Sequence, residues 1–86
     1  MLEEKLMILN NTGLHARPAA QFVEKASSYK SDIYIEYKGE EVNAKSILGL
    51  MSLGLNQGST FTLRVKGDDE KLALMDLKRF VKELKE

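Results

Sequence analysis

The stretch that decides the fold is DIYIEY, Asp32–Tyr37, followed by the turn residues KGEE, Lys38–Glu41. Apolar and polar residues alternate in the first segment, which is typical of a strand with one buried face. The short run around Val42 then pairs back as the second strand of a hairpin. A hairpin in the middle of the chain favours an antiparallel sheet as the framework of the protein.

Two further stretches predict strands on either side of this hairpin in the sequence. KLMIL, Lys5–Leu9, directs Leu6 and Ile8 to one face and its other apolar side chains to the opposite face. TFTLRVK, Thr60–Lys66, alternates in the same way, which is the period of a strand. Its inward side chains are predicted to be Phe61, Leu63 and Val65.

Three segments between and after these strands predict helices. The first spans Ala16 to Tyr29, and a short second one follows Ser46, with Gly54 as its C′ residue. Asp68–Glu70 supplies acids for the first turn of the third helix. The residues of the first helix that recur at helical spacing are Ala19, Ala20, Phe22, Val23 and Ala26. The apolar stripe of the third helix is Leu74, Leu77, Val81 and Leu84.

The predicted element order is β-α-β-β-α-β-α. A short chain with four strands favours one antiparallel sheet with its helices packed on one side. We therefore predict a two-layer α+β fold, a four-stranded antiparallel sheet with three helices on one face. Its 86 residues predict a single domain that spans residues 1–86.

Composition limits the function. Thirteen basic and thirteen acidic residues leave no net charge. The chain therefore lacks the positive electrostatic field that attracts nucleic acid or an anionic membrane, and proteins are the expected partners. There is no cysteine and only one histidine, so we expect no metal site and no cofactor. MLEEK has acids where a signal peptide needs bases, so we expect a cytoplasmic protein.

The most informative motif is GLHARPAA, Gly13–Ala20, which holds the only histidine and the only proline of the chain. Pro18 suits the first turn of a helix, so the helix begins beside His15. The N–H groups of Ala16 and Arg17 and the Arg17 guanidinium then form an anion site. A neutral imidazole there can accept a phosphoryl group and hand it on. The alternative is a histidine that caps the helix or lies on the surface.

A second motif is VNAKSILGLMSLG, Val42–Gly54. Ser46 precedes an apolar helical stretch, where its hydroxyl can cap the first turn. A phosphate on the same residue is also favourable at a helix start. Capping alone explains the serine, and a regulatory modification is the alternative.

The helix after Ser46 is nearly all apolar, and a short helix over one sheet cannot bury every side chain. We predict that Leu50, Leu53 and Leu55 enter the core. An exposed patch beside the phosphoryl site is then formed by Ile47, Leu48 and Met51. The alternative is that all six residues are core.

The two motifs resemble the signatures of HPr, the histidine-containing phosphocarrier family of the bacterial sugar phosphotransferase system. The resemblance covers essentially the whole chain and implies an open-faced β-sandwich. It also implies a monomeric carrier that is not an enzyme. By resemblance, His15 takes a phosphoryl group from enzyme I at Nδ1 and passes it to the IIA units of sugar transporters, while Arg17 helps to hold the group.

The same resemblance implies a regulatory role for Ser46, which is preceded by Lys45 as in the family pattern. In HPr proteins of Gram-positive bacteria the matching serine is phosphorylated by HPr kinase/phosphorylase, and the product binds catabolite control protein A. Family members dock their partners on the second helix and on the start of the first. The docking residues expected here are Ala20, Ile47, Leu48 and Met51.

Three functions of different class remain from the sequence. The first is a phosphoryl carrier with a regulatory serine, which we favour. The second is a purely regulatory module, like the HPr-like proteins that keep the serine and lack the histidine, and His15 argues against it. The third is an RNA-binding sheet, and the neutral net charge and the lack of an aromatic pair on a GFxFV-type strand argue against that.

Overall fold

The central hairpin forms as its alternation predicts. In the computed structural model, which describes residues 1–85, β2 (Asp32–Tyr37) pairs antiparallel with β3 (Glu40–Asn43). The turn consists of Lys38 and Gly39, with φ of 52° and 82°. Two consecutive residues in the left-handed region are what a two-residue hairpin turn requires.

The remaining strands complete the sheet around β2. β4 (Thr60–Lys66) pairs with β2 and with β1 (Leu2–Met7), so the order within residues 1–85 is β1-β4-β2-β3 and every pairing is antiparallel. The predicted bounds of β1, Lys5–Leu9, were wrong. The strand begins at Leu2 because its first residues find partners along the full length of β4. It ends before Leu9, whose carbonyl accepts a hydrogen bond from the side chain of Gln57.

The described residues form three helices, α1 (Ala16–Ser27), α2 (Ile47–Ser52) and α3 (Glu70–Glu83). α1 ends two residues earlier than predicted, because Ser28 is its C-cap and Tyr29 N–H already bonds back to the Ala26 carbonyl in a closing turn. Gly54 follows the C-cap of α2 with φ of 66°, as a C′ glycine does. No helix within residues 1–85 is long and apolar enough to cross a bilayer.

The start of α3 differs from the prediction. Of the three acids, only Glu70 lies in the helix, and Asp69 is its N-cap. The Asp69 carboxylate accepts hydrogen bonds from the N–H groups of Lys30 and Ser31 and from the Ser31 hydroxyl. It therefore holds the loop before β2, where the backbone donor of the buried Ser31 needs an acceptor.

The core lies between one face of the sheet and the helices, and the α1 and α3 aromatics Phe22 and Phe80 meet edge to face at 5.9 Å. Ala73 is a buried residue of α3 that the predicted stripe missed, while Leu74 is half-buried and Leu84 lies beyond the helix end. The two-layer α+β prediction is confirmed. The predicted domain ends on Glu86, which lies outside the described residues. The inward strand residues, with Ile8 just beyond β1, are Leu6, Ile33, Ile35, Phe61, Leu63 and Val65.

Candidate functional site

The N-terminus of α1 presents an exposed histidine. His15 is the N-cap, in an extended conformation, and its carbonyl accepts from Ala19 N–H at 2.8 Å. Within residues 1–85 its imidazole makes no capping hydrogen bond to the helix. The first turn contains the backbone N–H groups of Ala16 and Arg17, and the third residue, Pro18, has none. The exposed His15 therefore lies at the positive end of the helix dipole.

The loop before His15 is held rigidly by glycine. Gly13 has φ of 67°, and a Cβ there would lie 2.2 Å from the carbonyl oxygen of Leu55. Only glycine fits this approach. The next residue, Leu14, donates its N–H to the same Leu55 carbonyl at 3.0 Å. The main chain of His15 is thus fixed against the segment that follows α2.

Asn10 is a structural residue of the site that the sequence analysis treated only as part of a turn. Its side chain is buried, and Nδ2 donates to the Gly13 carbonyl at 3.0 Å. A buried amide that bonds to backbone fixes the loop. The only signal in the sequence is an asparagine three residues before the glycine, which by itself indicates a turn and not its burial.

His15 shares a shallow depression of about 270 Å³ with the end of α2 and the following loop. Met51 and Leu55 form its apolar wall. Asn56, which the sequence analysis did not single out, lines the same depression. The structure therefore brings together the predicted phosphoryl acceptor and one predicted docking residue, Met51.

Ser46 caps α2, as its position predicts. Its Oγ accepts from Gly49 N–H at 3.1 Å, and its own N–H donates to the Asn43 carbonyl. Gly49 is suited to this site because a Cβ there would lie 3.3 Å from Ser46 Oγ and from the Val42 side chain. Ser46 is half-exposed, so its hydroxyl both stabilises the helix start and borders on solvent.

The residue before Ser46 connects α2 to the end of α1. Lys45 Nζ donates to the Tyr29 carbonyl at 2.8 Å. The Tyr29 hydroxyl in turn donates to Asp76 of α3 at 2.6 Å. This hydrogen bond to the Asp76 carboxylate, with partial burial, raises the pKa of Tyr29 to about 12, and the same bond lowers the pKa of Asp76. Through Tyr29, these hydrogen bonds connect Lys45, which precedes α2, to the end of α1 and to Asp76 of α3.

The split between core and surface in α2 is as predicted. Leu50, Leu53 and Leu55 are buried. Exposed apolar side chains occur at three neighbouring positions, and Ala20 of α1 is also exposed. The exposed fractions are 38% for Ile47, 79% for Leu48 and 44% for Met51. We call these three side chains the α2 patch.

Comparison with known proteins agrees with this architecture. Residues 2–83 match the model of the phosphorylation site of the HPr component of the phosphotransferase system. The chain is 49% identical over 81 residues to the HPr-like protein Crh of Halalkalibacterium halodurans, covering 94% of this chain and 96% of that one. It is 46% identical over 84 residues to the phosphocarrier protein HPr of Buchnera aphidicola, covering 98% and 99%.

Solved structures agree as well. HPr-C-His from Thermoanaerobacter tengcongensis superposes with a TM-score of 0.93 at 49% identity, covering 95% of this chain and 92% of that one. The HPr dimer from the same organism superposes with a TM-score of 0.76, covering 95% and 94%. With the family model matched over residues 2–83 and relatives of 46–49% identity covered almost in full, this chain belongs to the HPr family of the phosphotransferase system.

Proposed function

We propose that this protein carries phosphoryl groups in a sugar phosphotransferase system, accepting them on His15 from phospho-enzyme I and passing them to IIA units. The observation that supports this most directly is the exposed imidazole at the N-cap of α1, with no capping bond to the helix within residues 1–85. A ring nitrogen in this position is accessible to a second protein. The chain is then a carrier and has no substrate of its own to convert.

The transfer needs only the groups at the start of α1. The lone pair of a His15 ring nitrogen, which we assign to Nδ1, forms a bond to phosphorus while the bond from phosphorus to the donor breaks. The donor keeps the bonding electron pair. The phosphoryl oxygens accept hydrogen bonds from the N–H groups of Ala16 and Arg17 and from the Arg17 guanidinium. Transfer to a IIA unit reverses these steps and regenerates His15.

We propose the α2 patch and Ala20 as the surface on which enzyme I and IIA units dock. The patch is exposed, and Met51 lines the same depression as His15. An apolar surface rimmed by polar residues is typical of a protein interface. A protein that binds here brings its own reacting group to the imidazole.

Ser46 is proposed as a regulatory site, phosphorylated by HPr kinase/phosphorylase, after which the protein binds catabolite control protein A. Its half-exposed hydroxyl at the start of α2 supports this, because a phosphate there adds negative charge beside Ile47 of the α2 patch. This charge weakens docking of enzyme I. A second candidate function is a purely regulatory module, which the similarity to the HPr-like protein Crh favours.

The test is phosphorus NMR of the purified chain after incubation with phosphoenolpyruvate and enzyme I, and separately with ATP and HPr kinase. An acid-labile phosphohistidine signal that is absent from His15→Ala supports the carrier. An acid-stable phosphoserine signal that is absent from Ser46→Ala supports the switch. Phosphoserine without phosphohistidine favours the purely regulatory module. The absence of both signals refutes both functions.

We also propose that the protein acts as a monomer in the cytoplasm. The α2 patch serves partners in this proposal, so it is not occupied by a second copy. Because a related HPr forms a dimer, sedimentation velocity across a range of concentrations is the direct measurement. A stable dimer at low concentration contradicts the monomer.

A further inference from the structure

The outer edge of β1 is a second exposed feature of the molecule. Within residues 1–85, β1 pairs with β4 alone, so its other edge is open. Ile8, just beyond the strand, directs both its N–H and its carbonyl toward the β4 side, through bonds of 2.8 Å to Ser59 and Gly58. Alternate residues of an antiparallel strand face opposite edges. The backbone groups of Lys5 and Met7 therefore face the open edge.

This edge borders a depression of about 250 Å³ between β1 and α3. On the side of the helical layer the depression is lined by Lys78 and Lys82. On the uncovered face of the sheet, Met7 and Leu9 are 50% and 54% exposed. The exposed Lys82 lies on the helical side of the open edge, and the apolar Met7 and Leu9 lie on the other side together with Lys5.

The charge around the edge is positive. Lys5 and Lys82 are exposed, while Lys78 pairs with Glu4 at 2.5 Å. Of the acids nearest to the edge, Glu4 is therefore already paired, and Glu3 pairs with Arg64 on the uncovered face of the sheet. The remaining charge favours an acidic partner.

We propose that the open edge of β1 binds an extended segment of a partner protein in which acidic and apolar residues alternate. The segment adds a fifth strand by hydrogen bonding to the backbone of Lys5 and Met7. Because successive side chains of a strand point to opposite faces, its acidic residues meet Lys82 while its apolar residues pack on Met7 and Leu9.

A second copy of this chain fits the edge poorly. Two β1 edges brought together would place Lys5 and Lys82 of each copy near the lysines of the other. Like charges across paired strands are unfavourable, and lysines on edge strands prevent this kind of association. The charge thus selects a different chain as the partner.

The experiment uses the isotopically labelled full chain and a short capped peptide that alternates valine and glutamate, with a peptide alternating valine and lysine as its control. We expect the glutamate peptide to produce saturable shifts of the Lys5 and Met7 amide resonances and to slow their hydrogen exchange. The lysine peptide produces neither effect. Lys82→Glu should weaken binding about fivefold, as expected for reversing one exposed charge, whereas Lys71→Glu, the same change elsewhere on α3, should leave binding unchanged.

Four results would overturn the proposal. These are no shifts at β1, equal binding of the two peptides, shifts confined to the starts of α1 and α2, and equal weakening by the two lysine variants. Concentration-dependent shifts at β1 without peptide would instead identify a second copy as the occupant. Binding to anionic vesicles at the same residues, without peptide binding, would identify a membrane surface. Either outcome also overturns the proposal.

Discussion

The starts of α1 and α2 differ in what satisfies their N–H groups. At α2 the Ser46 hydroxyl accepts from Gly49 N–H, so the helix is capped from within. At α1 His15 contributes its backbone carbonyl, and within residues 1–85 its side chain caps nothing. A helix start that is capped by its own side chain gains stability. One whose N-cap side chain is turned to solvent keeps that side chain available for chemistry.

The largest expected effect separates function from stability at α1. His15→Ala should abolish phosphoryl acceptance from enzyme I while changing the free energy of unfolding by less than about 0.5 kcal/mol, because an exposed side chain with no capping bond is lost. Phosphorus NMR and urea denaturation measure the two quantities. A loss of stability as large as that expected for Ser46→Ala would contradict the contrast between the two helix starts.

Arg17→Ala tests whether the start of α1 holds the phosphoryl group. Removing one charged donor from such a site should lower the rate of acceptance about 100-fold, measured by rapid-quench transfer from phospho-enzyme I. Lys25→Ala, which removes a cation from the last turn of the same helix, should change the rate less than twofold. Equal rates for the two variants would show that Arg17 does not contact the group.

Gly13→Ala tests how firmly the α1 start is held. The substitution requires a left-handed conformation and places a Cβ against the Leu55 carbonyl, so it should reduce the free energy of unfolding by about 2 kcal/mol or more. Gly54→Ala is the matched control, because its φ is 66° and, among residues 1–85 other than its two chain neighbours, nothing lies within 4 Å of the added atom. Equal losses in urea denaturation would show that the contact with Leu55 is unimportant.

Ser46 variants sharpen the comparison from the other side. Ser46→Ala should cost about 1 kcal/mol through the lost cap and leave phosphoryl acceptance unchanged. Ser46→Asp retains a capping oxygen and adds charge, so it should preserve stability and reduce acceptance from enzyme I about fivefold. Urea denaturation measures the stability of both variants, and transfer kinetics measure their phosphoryl acceptance. Reduced acceptance in the alanine variant would mean that the cap itself supports docking.

The start of α3 offers a third case, with the smallest effect. The Ser31 hydroxyl and the Lys30 N–H bond to the Asp69 carboxylate and hold its pKa below its usual range. The stabilisation is full above the unfolded pKa of about 3.9 and is lost as pH falls through the lower folded value. Asp69→Asn should therefore be less stable than the parent at pH 7, with a difference that shrinks below about pH 4 in thermal unfolding.

The alternation of the strands was sufficient to predict the sheet and its buried face, because period-2 patterning directly reflects burial on one side. It did not predict that Leu2–Glu4 belong to β1, since those residues pair because β4 extends opposite them. Likewise the acids before α3 have a helix-start composition, yet Asp69 serves the loop before β2, a contact across 38 residues. Long-range pairing has no local signature.

The site was predictable to a similar degree. GLHARPAA indicated a helix that begins beside His15 with Pro18 in its first turn. The split of α2 into buried and exposed apolar residues followed from the limited area that a short helix can bury. The support beneath His15 was not predictable. Asn10 and the Leu55 carbonyl hold the loop through tertiary contacts, and neither differs in sequence from an ordinary turn or core residue.

The order of the strands has a consequence for synthesis of the protein on the ribosome. Within residues 1–85, β1 lies at one edge of the sheet and pairs with β4, with Leu2 opposite Val65. A nascent chain that ends before Thr60 can form the β2–β3 hairpin and no other part of the sheet. Such non-local pairing slows folding. The sheet is therefore completed only once β4 has been synthesised, well after the segment that carries His15.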